Sequence, residues 1–93
     1  HGAAQLKMGI GDAAERGKGY GSQALRLLLR FAFDELNLYR LTVTLSEDNP
    51  HGIDFFKKFG FVEEVRRRRA LLRDGQTYDL LMLGLLKDEW RRE

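Results

Sequence analysis

The chain has 93 residues, 43% of them hydrophobic and 11% aromatic, which suits one small globular domain spanning residues 1–93 and excludes a disordered linker. Sixteen basic against 14 acidic residues leave a formal charge of +2, too modest for blanket nucleic-acid binding. With no cysteine there is no disulfide or thiolate chemistry, and His1 and His51 without a carboxylate cluster make no metal site.

No apolar run is long enough for a membrane-spanning helix and no signal-peptide pattern opens the chain, so the expectation is a cytoplasmic protein without a membrane partner. The start at His1-Gly2 implies processing, an engineered terminus or membership of a longer chain. Ala4 to Ile10 alternates, with Leu6, Met8 and Ile10 on one face, and predicts a half-buried strand. Gly9 and Gly11 mark either a bulge or close approach of a ligand, or are simply strand-end glycines.

Glu15 to Ser22 reads Glu-Arg-Gly-Lys-Gly-Tyr-Gly-Ser, with Gly17, Gly19 and Gly21 alternating with Lys18 and Tyr20. Alternating glycines let backbone N–H groups converge in one concavity, and a helix that starts directly afterwards adds its own free N–H groups and dipole. Arg16 and Lys18 add formal charge. The residues describe a pyrophosphate cradle; the plainer alternative is a glycine-rich turn entering a helix. It is not a P-loop, because Lys18 is followed by Gly19, nor a dinucleotide fingerprint, because the spacing is G-x-G-x-G.

Leu25, Leu28, Leu29, Ala32, Phe33 and Leu36 then recur at helical spacing, predicting an amphipathic helix stopped near Asn37. Leu41, Val43 and Leu45 alternate with Thr42 and Thr44 as a second strand, so the first two strands are expected parallel and adjacent in a βαβ unit. Asn49-Pro50 is a helix start, with Asn49 as cap or also as a ligand contact, and local physics favours the cap. Ile53, Phe56 and Phe59 share a helix face and Gly60 ends it. Phe61 to Arg73, a turn at Asp74-Gly75, and Thr77 to Leu86 read as a hairpin. Arg66, Arg67, Arg68 and Arg69 are expected to divide between the faces of their strand as solvated charges, with an acidic protein or RNA target as the alternative. Lys87 to Glu93 reads as a charged tail from which Trp90 folds back on the sheet.

In this order the elements resemble the C-terminal half of GNAT-superfamily N-acetyltransferases. Arg16-x-x-Gly19-x-Gly21 is similar to that family's R/Q-x-x-G-x-G/A loop, and Asn49 with Ile53, Phe55, Phe56, Lys58 and Gly60-Phe61 to its second motif. Phe61-Val62-Glu63-Glu64 and Arg73-Asp74-Gly75 look like the branch that acetylates N-terminal amines of ribosomal proteins.

The resemblance implies an α/β fold with a mixed sheet, a central βαβ unit, a C-terminal hairpin and two helices. It also implies acetyl-CoA as co-substrate, no metal, and a primary amine as acceptor, on a protein N-terminus or a small molecule. Acetyl-CoA would be held by Gly9, Ile10, Arg16, Gly17, Lys18, Gly19, Tyr20, Gly21, Ser22, Asn49 and Phe56. The pantetheine arm would lie between two splayed strands, and a backbone N–H near Ile10 would stabilise the oxyanion formed by direct amine attack.

The chain departs from that pattern in several places. The tyrosine that commonly protonates the CoA thiolate falls at Phe56, leaving Tyr39 and Ser46 as weak substitutes, with water or the ammonium product as alternatives. A glutamate common in the first strand falls near Gln5, which cannot act as a base. Gly52 replaces a usual alanine, lowering helix propensity by about 1 kcal/mol. The family's N-terminal strands and helices are absent, so a dimer, a strand-exchanged assembly or a fragment of a longer enzyme is expected. The rival from another class is a non-catalytic CoA-binding regulatory or scaffold module.

Overall fold

The computed structural model describes residues 3–6 and 20–90. In chain order these form β1 (Ala3–Leu6), α1 (Tyr20–Arg30) running into a π-helical turn (Phe31–Glu35), β2 (Arg40–Ser46), α2 (Pro50–Lys58), β3 (Val62–Arg73), β4 (Gln76–Leu86) and α3 (Lys87–Trp90). The strands form one mixed sheet in the order β1-β2-β4-β3. β1 pairs with β2 in parallel, from Ala3 opposite Arg40 to Leu6 opposite Val43, and the other pairings are antiparallel. The expected βαβ unit and hairpin are therefore both present. Of the predicted first strand, residues 7–10 lie outside the described residues.

Alternation in β2 buries Leu41, Val43 and Leu45. The pairing places Leu85, Leu83 and Leu81 of β4 beside them in register, and these are buried too. Leu25, Leu29, Ala32 and Phe33 from the first helix, and Ile53 and Phe56 from α2, complete one core, so the helices cover one face of the sheet. Burying each of these leucine and phenylalanine side chains contributes about 1.5–3 kcal/mol.

The first helix departs from its expected face at its C-terminus. Leu36, predicted to continue the apolar stripe, is 54% exposed. The cause is the π-helical turn, in which Leu36 N–H bonds Phe31 O at 2.9 Å, five residues back, and the wider turn rotates later side chains off the stripe. Asn37 does end the helix, in the left-handed region at φ 55°, and Leu38 returns to the core instead.

A second departure is the number of helices among the described residues, three rather than two. Lys87–Trp90, read as part of a charged tail, folds into one helical turn. Glu89 Oε1 reaches back to accept the Leu86 N–H at 2.9 Å, as the N3 residue of a capping box does, and the Trp90 ring settles 5.2 Å from that of Phe33.

The hairpin turns at Asp74 and Gly75, both at positive φ (51° and 78°), the geometry of a two-residue type I′ turn. β3 does not follow simple alternation. Its register slips between Glu63 and Val65, and again between Arg67 and Leu71, where β3 advances four residues while β4 advances two. The expected division of the arginines between two faces thus holds only for Arg66 and Arg67. Arg69 lies within the second irregularity at φ 50°.

Candidate functional site

Parallel pairing sets where a ligand could lie. The chain leaves β1 and β2 at the same end of the sheet, toward α1 and α2 respectively. The far end of the first helix is fixed at the opposite edge, where Asn37 Oδ1 accepts from Lys87 Nζ at 2.8 Å and Tyr39 O accepts the Lys87 N–H at 3.0 Å. The N-terminus of α1 and that of α2 therefore share one end of the sheet, the end at which α/β sheets take ligands. Tyr20 is the first helical residue, followed by a buried Gly21 and a half-buried Ser22. The first turn of α1 carries no acidic side chain of its own, which leaves the positive end of the helix dipole uncompensated from within the helix. That suits the doubly charged pyrophosphate of a CoA thioester. Gly9, Ile10, Arg16, Gly17, Lys18 and Gly19 lie outside the described residues.

Asn49 is the N-cap of α2, its Oδ1 accepting the Gly52 N–H at 3.0 Å, with Pro50 as first helical residue. Its Nδ2 has no hydrogen-bond partner among the described residues. Gly52 is what allows this pose: a Cβ there would stand 2.6 Å from Asn49 Nδ2. At the other end of α2, Gly60 at φ 99° makes a Schellman motif, with Gly60 N–H to Lys57 O at 3.0 Å and Phe61 N–H to Phe56 O at 3.2 Å. The motif's hydrophobic contact is Phe56 edge-on to Phe61, ring centres 5.3 Å apart. Phe56 is 1% exposed, so its ring belongs to the core.

The two substitute proton donors part company. Ser46 ends β2, is 8% exposed, and its carbonyl accepts the Asn49 N–H at 3.0 Å. Tyr39 precedes β2, is 59% exposed, and stands about 23 Å from Ser46 along the strand at ~3.3 Å per residue.

Residues 10–61, more than half of the chain, match the pattern of the acetyltransferase (GNAT) family. The chain belongs to the GNAT family. It is 36% identical over 77 residues to YdaF of Bacillus subtilis strain 168, whose name places it provisionally among ribosomal N-acetyltransferases; the match covers 83% of this chain and 42% of that protein. A crystal structure of a probable acetyltransferase superposes with TM-score 0.72 at 36% identity, over 80% of this chain and 42% of the other. A variant of the spermidine N-acetyltransferase of Vibrio cholerae superposes with TM-score 0.76 at 25% identity, over 85% and 48%. The GNAT chain spans less than half the length of the relatives it matches.

Beside Asn49, this GNAT chain carries an ionic network that sequence reasoning missed. Glu47 and Asp79 are tied by the Glu47 N–H to Asp79 O and by the Asp79 N–H to Glu47 Oε1, both 2.9 Å. Arg66 bridges their carboxylates, with Nε 2.7 Å from Asp79 Oδ2 and Nη2 3.2 Å from Glu47 Oε2. Arg69 donates its backbone N–H to Asp79 Oδ1 at 2.9 Å, and Arg73 reaches Asp48 Oδ2 at 2.5 Å. The Arg69 N–H, then the Arg66 guanidinium, hold the Asp79 carboxyl below its usual range. A second pair joins Arg40 and Glu64 across β4, the Glu64 carboxylate passing over Gly84 where a Cβ would block it. The run of four arginines was the visible signal, but the two-residue slip in register that selects their partners leaves no mark in the sequence. Among the described residues no helix is long and apolar enough to cross a membrane, and no group of three or more side chains could hold a metal.

Proposed function

We propose that this chain is the acetyl-CoA-binding part of an N-acetyltransferase that moves an acetyl group to a primary amine, within a larger or oligomeric fold. The observation that carries the reading is the shared sheet end: parallel β1 and β2 deliver there the N-terminus of α1, whose first residues Tyr20 to Ser22 complete the Arg16–Ser22 stretch, and the Asn49 cap of α2. Acetyl-CoA supplies an activated thioester carbonyl. Backbone N–H groups between Gly17 and Ser22, with Arg16 and Lys18, bind its pyrophosphate. Asn49 holds the pantetheine arm through Nδ2 while Oδ1 caps the helix. In this proposal a backbone N–H near Ile10 receives the charge that develops on the carbonyl oxygen. With Phe56 having no proton to give, the departing thiolate takes its proton from Ser46, from water or from the ammonium product in this proposal.

The acceptor is a protein N-terminus or a small-molecule amine, in line with the names of the ribosomal and spermidine relatives. The buried Phe56, at the position of the family's usual tyrosine, favours the second reading, a CoA-binding module without catalysis. Thiol release from acetyl-CoA across a panel of peptide and polyamine acceptors separates the two. Amine-dependent release supports transfer, and CoA binding without release by the assembled protein supports the module.

A further inference from the structure

The loop that presents Asn49 is only three residues long, Glu47 to Asn49, and both residues ahead of Asn49 are held by the hairpin rather than by α2. Glu47 is fixed at three points: its backbone N–H on Asp79 O, and its carboxylate on the Asp79 N–H and on Arg66. Asp48 is held by Arg73. Asp79 has one carboxylate oxygen on Arg66 and the other on the Arg69 N–H, so the irregular stretch of β3 is what turns this carboxylate toward the loop. Surface ion pairs of this exposure add little stability each. Four contacts converging on two adjacent residues do more than stabilise: they remove the loop's freedom to swing.

We infer that Arg66 and Asp79 are positioning residues, clamping Glu47 so that the Asn49 carboxamide is set for the pantetheine arm before the ligand arrives. The inference rests on the reading of Asn49 as an acetyl-CoA contact. A clamp of this kind acts by removing an ordering cost from binding, and it acts through Asn49 and nothing else.

Two measurements on the 93-residue chain test it. The first needs no ligand. In Arg66→Gln and in the milder Arg66→Lys, hydrogen exchange of the Gly52 amide, which is bonded to Asn49 Oδ1, rises by about tenfold, while the amides of Val43 and Leu83 in the sheet core keep their protection. Unchanged exchange at Gly52, or a uniform rise that includes the core, overturns the clamp. The second is calorimetric titration with CoA of Arg66→Gln, Asn49→Ala, the double variant and Arg67→Gln. Loss of the clamp weakens CoA by about fivefold, and the double variant is no weaker than Asn49→Ala alone, because both changes remove one interaction. Additive losses, or an equal loss in Arg67→Gln that would reveal simple attraction between charge and ligand, overturn the inference. If the unaltered chain binds no CoA while Gly52 responds as expected, the failure lies with the cofactor reading and the clamp's role in binding falls with it.

Discussion

At the scale of single residues, Asn49 and Gly52 are one device. A Cβ at position 52 would meet the Asn49 carboxamide, so the glycine that looks like a weak helix residue is what admits the cap. Replacing Asn49 by Ala is expected to cost about 1 kcal/mol of stability through the lost cap. Gly52→Ala is expected to be close to neutral in the native chain, where up to about 1 kcal/mol of helix propensity is offset by displacement of the cap. In the Asn49→Ala background the same change stabilises. Urea unfolding followed by the fluorescence of Trp90, the sole tryptophan, reads this difference, and equal effects in both backgrounds would refute the coupling. Asn49 as a cap was legible in the sequence because Asn-Pro ahead of an apolar-periodic stretch is a local signal. The role of Gly52 was not, because it depends on which way one carboxamide turns.

At the scale of elements, what the sequence makes plain is what repeats. The leucine stripe of α1, the Leu41-Val43-Leu45 alternation of β2 and the Asp74-Gly75 turn all appear where their periods and turn chemistry place them. The π-helical turn, the slips in β3 and the single turn of α3 carry no period of their own. Four consecutive arginines hide a change of register, because a run of one residue type looks the same in any frame. The slip has a consequence for pH. Asp79, held by the Arg69 N–H and by Arg66, titrates below its unfolded value of about 3.9. A carboxylate with a depressed folded value binds fewer protons folded than unfolded, so its contribution is present above the unfolded value and is lost as pH falls through the folded one. Thermal melts between pH 5 and the acid limit are expected to fall more steeply in the native chain than in Asp79→Asn. Parallel acid limbs would show that the pairing in β3 contributes nothing to the hairpin's hold on the Glu47 loop.

At the scale of the whole molecule, the two outer strands of the described sheet differ. β3 is exposed, charged and irregular along its length, features that discourage further pairing. β1 pairs on one side only among the described residues, with β2, and carries no comparable charge run. That asymmetry supports assembly through β1, with a second copy or with the rest of a longer chain, as part of the proposed function. The proposed cofactor site lies at one end of the sheet, where the helix N-termini of α1 and α2 converge and where residues 16–22 are proposed to hold a diphosphate. Calorimetric titration of the purified chain with CoA, beside its Gly19→Trp variant, tests this most directly. Saturable binding by the native chain and none by the variant is expected, with the fold of both intact by circular dichroism. Equal binding by the two would contradict it, since a bulky side chain at Gly19 cannot share the cradle with a pyrophosphate.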